Sequence, residues 1–176
     1  MDLSKFKTSD WLKVGGGAVF FFTFFLPWWK VDVPEVVAEF FRPYSLHGSD
    51  FTLTGWLPFL LLVAIAVLTV LRVLEVFKLP ATIPEPIVFL GAAGLSVLLV
   101  VWRFLFDGVS GGTLTRGFGL FLALLAAIVS LVGTVLAFQE SGGDLKDLTD
   151  VNKIKSQFGG TKSGPPPFPP PDAPSV

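Results

Sequence analysis

The residues most suited to chemistry lie on a loop between two apolar stretches. His47 is the only histidine of the chain, and Ser49 and Asp50 follow it closely. These are the residue types of a hydrolase triad, but a triad is defined by geometry, and no nucleophile motif accompanies them. We interpret His47 as a solvated loop histidine, with catalysis or pH sensing as the alternative. The chain also lacks cysteine, which excludes thiol catalysis and cysteine-based metal sites. With no catalytic or metal-binding motif in the sequence, we expect no metal site, no cofactor and no enzymatic activity.

A glycine-rich segment near the C-terminus, GGTKSG at residues 159–164, superficially resembles a phosphate-binding loop. It lacks the order Gly-Lys-Ser/Thr that places the lysine on the phosphates. Prolines follow where a helix should begin. The pattern therefore argues against nucleotide binding.

The run PPPFPPP is the most specific feature outside the apolar stretches. Proline-rich segments bind aromatic grooves of partner proteins because their polyproline II conformation is already ordered before binding. We predict that this run contacts a protein partner, with a plain disordered tail as the alternative. Its residues are Pro165, Pro166, Pro167, Phe168, Pro169, Pro170 and Pro171.

The composition of the rest of the chain is that of a membrane protein. Apolar residues make up 52% and charged residues 15%, whereas about 25% of a typical soluble domain is charged. The net charge of −1 provides no field that would attract nucleic acid. We therefore expect the lipid bilayer, rather than nucleic acid, to be the chain's main environment.

Four apolar stretches have the length of about 20 residues that a helix needs to cross a hydrocarbon core of about 30 Å. The predicted crossings are about 11–29, 56–77, 84–106 and 115–138. The first contains GGGAVFFFTFFLPWW and lacks a cleavage site, so it should remain as an uncleaved helix. Its final tryptophans, Trp28 and Trp29, are expected at the level of the lipid headgroups.

The sequence thus predicts an all-α integral membrane protein, with a four-transmembrane-helix bundle in residues 1–138. The loop 30–55 should form a small external cap between the first two helices. Alternating residues predict short strands at 29–33 and 50–56. A capping box at Asp32–Glu35 predicts an interfacial helix between them.

Small residues in the last two crossings predict where helices pack closely. We expect the third and fourth helices to form the closest pair. The predicted packing positions are Gly91, Gly94, Ala123, Ala127, Ser130 and Thr134.

The composition changes after Phe138. Residues 139–158 have apolar side chains along one side of a predicted helix and form an amphipathic segment. Residues 159–176 have too little apolar surface to fold and should be disordered.

Of the 13 lysines and arginines, four fall on the side of the 30–55 loop and nine on the side of the termini. The positive-inside rule then predicts that both termini are cytoplasmic and that the cap is external. The four are Lys30, Arg42, Arg103 and Arg116.

No charged residue falls at the centre of a predicted crossing. Arg72, Glu75 and Arg103 lie near helix ends, where a structural anchor is the favoured interpretation over a proton relay. This distribution argues against a proton-coupled transporter.

The glycine run before FLPWW in residues 15–29 and the Trp-Leu-Pro opening at 56–58 resemble a known group. It comprises small, uncharacterised four-helix membrane proteins of actinobacteria whose first helix carries a GG…FLPW pattern. The resemblance covers about residues 11–138; it implies a four-helix membrane fold and no functional residue. The topology is also similar to that of claudin-like tetraspan proteins, whose pair of loop cysteines is missing here.

From these observations we expect a non-enzymatic accessory or scaffold protein of a bacterial inner or cytoplasmic membrane. Its cytoplasmic proline-rich tail would contact a partner, such as a protein of the envelope or division machinery. The alternative is a subunit of a transporter or of a lipid-handling complex. Either function is compatible with a homo-oligomer or a hetero-oligomer.

Overall fold

The computed structural model describes residues 5–31, 44–76, 84–106 and 114–143. In these ranges the chain forms four α-helices and three short strands, so the prediction of a mostly helical protein is confirmed. A 3₁₀ turn and a π-helical turn precede the second helix. In chain order the elements are α1 Thr8–Thr23, β1 Pro27–Val31, β2 Tyr44–His47, the 3₁₀ turn Gly48–Asp50, the π turn Thr52–Trp56, α2 Leu57–Val73, α3 Glu85–Leu105, β3 Leu114–Arg116 and α4 Phe118–Glu140.

Among the described residues, three helical stretches are long and apolar enough to cross a membrane. They are Thr52–Val73, which joins the π turn to α2, and the helices α3 and α4. Their high content of leucine, valine and phenylalanine explains why sequence alone located them. Helix α1 is shorter, at 16 residues.

The first predicted crossing, 11–29, is offset from the helix that forms. Helix α1 begins at Thr8 and ends at Thr23, where the threonine hydroxyl donates a hydrogen bond to the Phe20 carbonyl at 2.8 Å. The chain then turns, and Pro27 opens β1. Proline has no amide hydrogen to donate, so the first position of a strand suits it. The residues after Thr23 therefore leave the helix although they are almost all apolar.

The strands form one antiparallel sheet in the order β2-β1-β3. Trp29 lies opposite Leu46 on one side and Arg116 on the other. Strand β1 overlaps the strand predicted at 29–33. The strand predicted at 50–56 is wrong, because that stretch forms the two tight turns before α2. Strand β3 was not predicted, so the fold is not all-α.

Two glycines explain the turns that replace the predicted strand. A Cβ atom at Gly55 would collide with the Gly48 carbonyl, and one at Gly48 would lie 2.9 Å from the Phe24 carbonyl oxygen. Glycine permits such close backbone approach because it has no side chain. The backbone can therefore fold tightly over residues 48–55 instead of extending.

The closest helix pair is α1 with α4, so the expectation for α3 with α4 is wrong. A Cβ atom at Gly16 would lie 2.7 Å from the Ser130 amide nitrogen and 2.8 Å from the Ala126 carbonyl oxygen. A Cβ atom at Gly133 would lie 2.8 Å from the Lys13 amide nitrogen. The backbones of the two helices thus approach closely where one of them has a glycine.

The residues predicted to pack helices fall into two groups. Ala123, Ala127, Ser130 and Thr134 are all buried in α4. At Gly91 and Gly94, in contrast, an added Cβ atom would meet no atom within 4 Å, so the predicted close approach is absent there. The buried small residues of α3 are Ala93 and Ser96.

Trp28 and Trp29 are buried residues of β1, which corrects their predicted position at the lipid headgroups. The Trp28 indole nitrogen donates a hydrogen bond to the Thr23 carbonyl at 2.8 Å. The exposed tryptophans are Trp11, Trp56 and Trp102. The predicted interfacial helix with its capping box at Asp32–Glu35, most of the amphipathic segment and the proline-rich tail lie outside the described residues.

Candidate polar site at one end of the bundle

The start of α1, the end of α2, the start of α3 and the end of α4 meet at one end of the bundle, called here the polar end. Ion pairs and hydrogen bonds of side chains from all four helices are found there. Its charged residues are Lys5, Lys7, Asp10, Lys13, Arg72, Glu75, Glu85 and Glu140.

The centre of the polar end is a buried ion pair within α1. The Lys13 ammonium lies 2.8 Å from Asp10 Oδ1, and the two side chains are 1% and 2% exposed. Asp10 Oδ2 also accepts a hydrogen bond from the Lys7 amide at 3.3 Å, and an acidic residue in the first turn is favoured by the helix dipole. Charged side chains are rarely this buried unless they are paired. The pair is therefore held by its partners in the bundle.

Arg72 joins this pair to two further helices. One guanidinium nitrogen lies 2.9 Å from Glu85 Oε1 at the start of α3, and another lies 3.4 Å from Asp10 Oδ1. The planar guanidinium presents several donors at fixed angles, so one arginine can contact two carboxylates. The end of α2 is thereby connected to both α1 and α3.

The end of α4 is connected to α1 in the same way. The Ser9 hydroxyl donates to Glu140 Oε2 at 3.0 Å, and the Lys7 ammonium lies 3.6 Å from the same oxygen. A further pair, Lys5 with Glu75 at 2.9 Å, is exposed and contributes little stability. Helices α2 and α4 are thus tied directly to the beginning of α1, and α3 is tied to it through Arg72.

Glu75 also has an unusual backbone. Its φ of 59° lies in the left-handed region, which an ordinary side chain disfavours by about 1–2 kcal/mol. The amides of Glu75 and Val76 donate to the carbonyls of Arg72 and Leu71, which closes α2 in a Schellman motif. Glycine is the usual residue at this position, as at Gly142 after α4 (φ 86°).

A cavity of about 110 Å³ opens among these side chains. Ser9, Lys13, Phe89 and Thr134 are its buried lining residues, and none is more than 6% exposed. Its more exposed lining includes Lys7, Arg72, Glu85 and Glu140. Cationic, anionic and hydroxyl groups thus converge on one small volume.

The sequence did not reveal Asp10 and Lys13 as site residues, because they precede the first uniformly apolar stretch. A signal was present at helical spacing. Ser9, Lys13, Gly16 and Phe20 share one face of α1, and all four are buried. A face that carries both a lysine and a glycine is better explained by close packing against another helix than by exposure.

The loop residues that suggested a hydrolase have another role. The Asp50 carboxylate accepts a hydrogen bond from the His47 amide at 2.7 Å and lies 3.6 Å from His47 Nδ1. The Ser49 carbonyl accepts a bond from the Trp56 indole nitrogen at 3.0 Å. These contacts close the turn before α2. Within the described part of the loop, no hydrogen bond joins the Ser49 hydroxyl to His47.

Two arginines at the opposite end pack on aromatic rings. The Arg103 guanidinium lies 3.7 Å from the centre of the Phe51 ring and 5.5 Å from that of Trp29. Arg116 lies 5.8 Å from Trp29, and its Nε donates to the Phe104 carbonyl at 3.1 Å. Such contacts are favourable cation–π interactions. They anchor the sheet to α3.

No group of three or more histidine, cysteine or acidic residues that could hold a metal ion is found within the described ranges. No protein-family model matches the sequence, and comparison with curated proteins and with solved structures gives no match. Function is therefore inferred from the residues themselves.

Proposed function

We propose that this chain is an integral protein of a bacterial inner or cytoplasmic membrane, with four crossings formed by α1 to α4. The three long apolar helices support this proposal. Large apolar side chains are also exposed along all four helices, which is the surface expected of a protein surrounded by lipid. They include Phe22, Leu60, Leu98, Leu125 and Val132.

The polar end faces the cytoplasm in this proposal. Four basic side chains that it contains, Lys5, Lys7, Lys13 and Arg72, belong to the nine on the side of the termini, and the positive-inside rule orients that side inward. Cysteines introduced at Ser45 or Ser110 should then react with a membrane-impermeant thiol reagent in intact cells, whereas cysteines at Ser4 and Ser163 should not. Labelling of Ser163→Cys from outside would reverse the orientation.

Within that membrane the chain acts as a non-enzymatic accessory or scaffold protein. The observation that carries this function is the contact of Ser9 and Lys7 with Glu140, which fixes the start of α1 against the end of α4. The chain beyond Gly143 consequently starts at the same end of the bundle as α1. A tail attached in this way can keep a cytoplasmic partner close to the membrane surface.

The proline run 165–171 is the segment of the tail that binds the partner. Phe168 is its only aromatic side chain and is the anchor of the contact. A short segment with one anchor gives an affinity of about micromolar or weaker. A partner from the envelope or division machinery suits such a contact, because those assemblies form at the cytoplasmic face of the membrane.

The test is a pull-down from lysate with a peptide of residues 159–176 beside its Phe168→Ala control. The native peptide should recover at least one protein that the control loses. The same protein should also be recovered with the intact chain in detergent and lost after removal of residues 159–176. If both peptides recover the same proteins, or if neither recovers any, the proposed scaffold function is refuted.

A lipid-handling function is the second candidate, and a groove between α1 and α2 favours it. The groove has a volume of about 510 Å³, and its walls are almost entirely apolar. Val14, Phe21, Val63, Val67 and Val70 are among its lining residues. A lipid acyl chain has the shape and polarity to lie in it.

This second candidate predicts that the groove retains lipid during purification. Val67 is 51% exposed and lines the groove, so Val67→Trp should fill it and reduce the phospholipid that remains bound in native mass spectrometry. Val132→Trp is the matched control, because Val132 is similarly exposed on α4 and does not line the groove. Equal lipid retention by both variants would exclude the groove as a lipid site.

A further inference from the structure

We propose that the cavity at the polar end binds a small zwitterion of the phosphoethanolamine type. Its phosphate group would lie against Lys13, and its ammonium group would lie against Glu85 and Glu140. The proposal rests on the described residues alone and does not depend on whether the tail binds a partner.

The first support is the unfilled hydrogen-bonding capacity of Lys13. An ammonium group has three N–H donors. Among the described residues, the one carboxylate within ion-pair distance of Lys13 is Asp10, although Lys13 is 1% exposed. Leaving donors of a buried charge without acceptors is costly. Since Lys13 lines the cavity, oxygen atoms of a bound molecule can accept the remaining hydrogen bonds.

The second support is that groups of both signs line the cavity. The buried part contains Lys13 and the hydroxyls of Ser9 and Thr134. Glu85 and Glu140 also line it, 16% and 36% exposed, and they are paired with the more exposed Arg72 and Lys7. A simple anion would meet Lys13 favourably but would approach the two glutamates, and a simple cation would approach the basic groups. A molecule that carries both a phosphate and an ammonium group can pair with Lys13 and with the glutamates at once.

The third support is size. A cavity of about 110 Å³ corresponds to three or four water molecules at about 30 Å³ each. A compound with a phosphate and an ammonium joined by two carbons occupies a comparable volume. The half-exposed ion pairs of its lining are individually weak, so the ligand can displace them as it enters.

The ligand has two sources, the free compound and the headgroup of phosphatidylethanolamine. Binding of free phosphoethanolamine to the full chain in maltoside detergent is measured by calorimetry, with inorganic phosphate and ethanolamine as separate probes. In parallel, thermal stability is compared in nanodiscs of phosphatidylethanolamine with phosphatidylglycerol and in nanodiscs of phosphatidylglycerol alone. A response only to the free compound identifies a soluble ligand, and a response to the lipid identifies a headgroup site.

The decisive variant is Glu140→Gln, which keeps an oxygen for the Ser9 hydroxyl and removes the charge that attracts the ammonium. It should weaken phosphoethanolamine binding by about tenfold or more, because a charge-assisted hydrogen bond to the ammonium group is lost. Binding of inorganic phosphate should not weaken. Glu75→Gln is the matched control, since Glu75 belongs to the same end but does not line the cavity.

Three results would overturn the proposal. The first is no response to phosphoethanolamine or to the lipid, which would mean that the cavity holds only water. The second is an affinity for phosphoethanolamine no higher than that for phosphate. The third is an equal loss of binding in Glu140→Gln and Glu75→Gln.

Discussion

Replacing Gly133 by alanine should destabilise the bundle, although alanine is the better helix former. The added methyl group would lie 2.8 Å from the Lys13 amide nitrogen and 2.9 Å from both the Leu12 Cβ atom and the Ser9 carbonyl oxygen. Carbon atoms in favourable contact are about 3.5–4.0 Å apart, so α1 must move by roughly 0.6–1 Å. Overpacking of this kind costs about 1–3 kcal/mol.

Gly94→Ala is the control that separates the cost of overpacking from the gain in helix propensity. An alanine methyl at Gly94 would meet no atom within 4 Å, so this variant reports only the gain in helix propensity, about 1 kcal/mol. The two variants should therefore differ in free energy of unfolding by about 1–3 kcal/mol, with Gly133→Ala the less stable. The measurement is reversible unfolding in mixed micelles, followed by tryptophan fluorescence. A difference below about 0.5 kcal/mol would refute the close α1–α4 contact at this position.

Three further predictions concern other parts of the bundle. Lys13→Met should cost about 3–5 kcal/mol because it leaves the Asp10 carboxylate buried beside a more distant arginine, and the double variant with Asp10→Asn should recover most of this loss in the same unfolding assay. Glu75→Gly should raise stability by up to about 1 kcal/mol, since glycine relieves the left-handed backbone and the lost ion pair is exposed; a lower melting temperature would contradict this. Ala127→Leu should destabilise the bundle far more than Leu125→Ala, because the first residue is fully buried and the second is 58% exposed; equal melting temperatures would show that Ala127 has free space around it.

The sequence located α2, α3 and α4 well because long apolar stretches bounded by polar turns leave few alternatives for the backbone. It could not place the end of α1, since residues 18–29 are apolar on both sides of the true boundary. Composition also could not show which face of a helix its small residues occupy. Gly91 and Gly94 were therefore expected to make a contact that Gly16 and Gly133 make instead.

The polar end was the least predictable part, because its contacts join residues that are far apart in the chain. Arg72 and Asp10 are 62 positions apart, and local spacing contains no information about such a pair. The i,i+3 relation of Asp10 to Lys13 was visible in the sequence, but their burial depends on α4. The sheet had the same difficulty, since β3 becomes a strand by pairing with a segment 83 to 87 positions earlier.

The pairing of α1 with α4 also affects how the protein is made. Ser9 and Glu140 are 131 positions apart, so at about 5–20 residues per second α1 is synthesised on the order of 10 seconds before its main partner. Throughout that interval Asp10 and Lys13 lack the helix that later covers them. Nascent chains that stop before α4 would present these charges within the membrane or at its surface, where quality-control proteases could distinguish them from finished molecules.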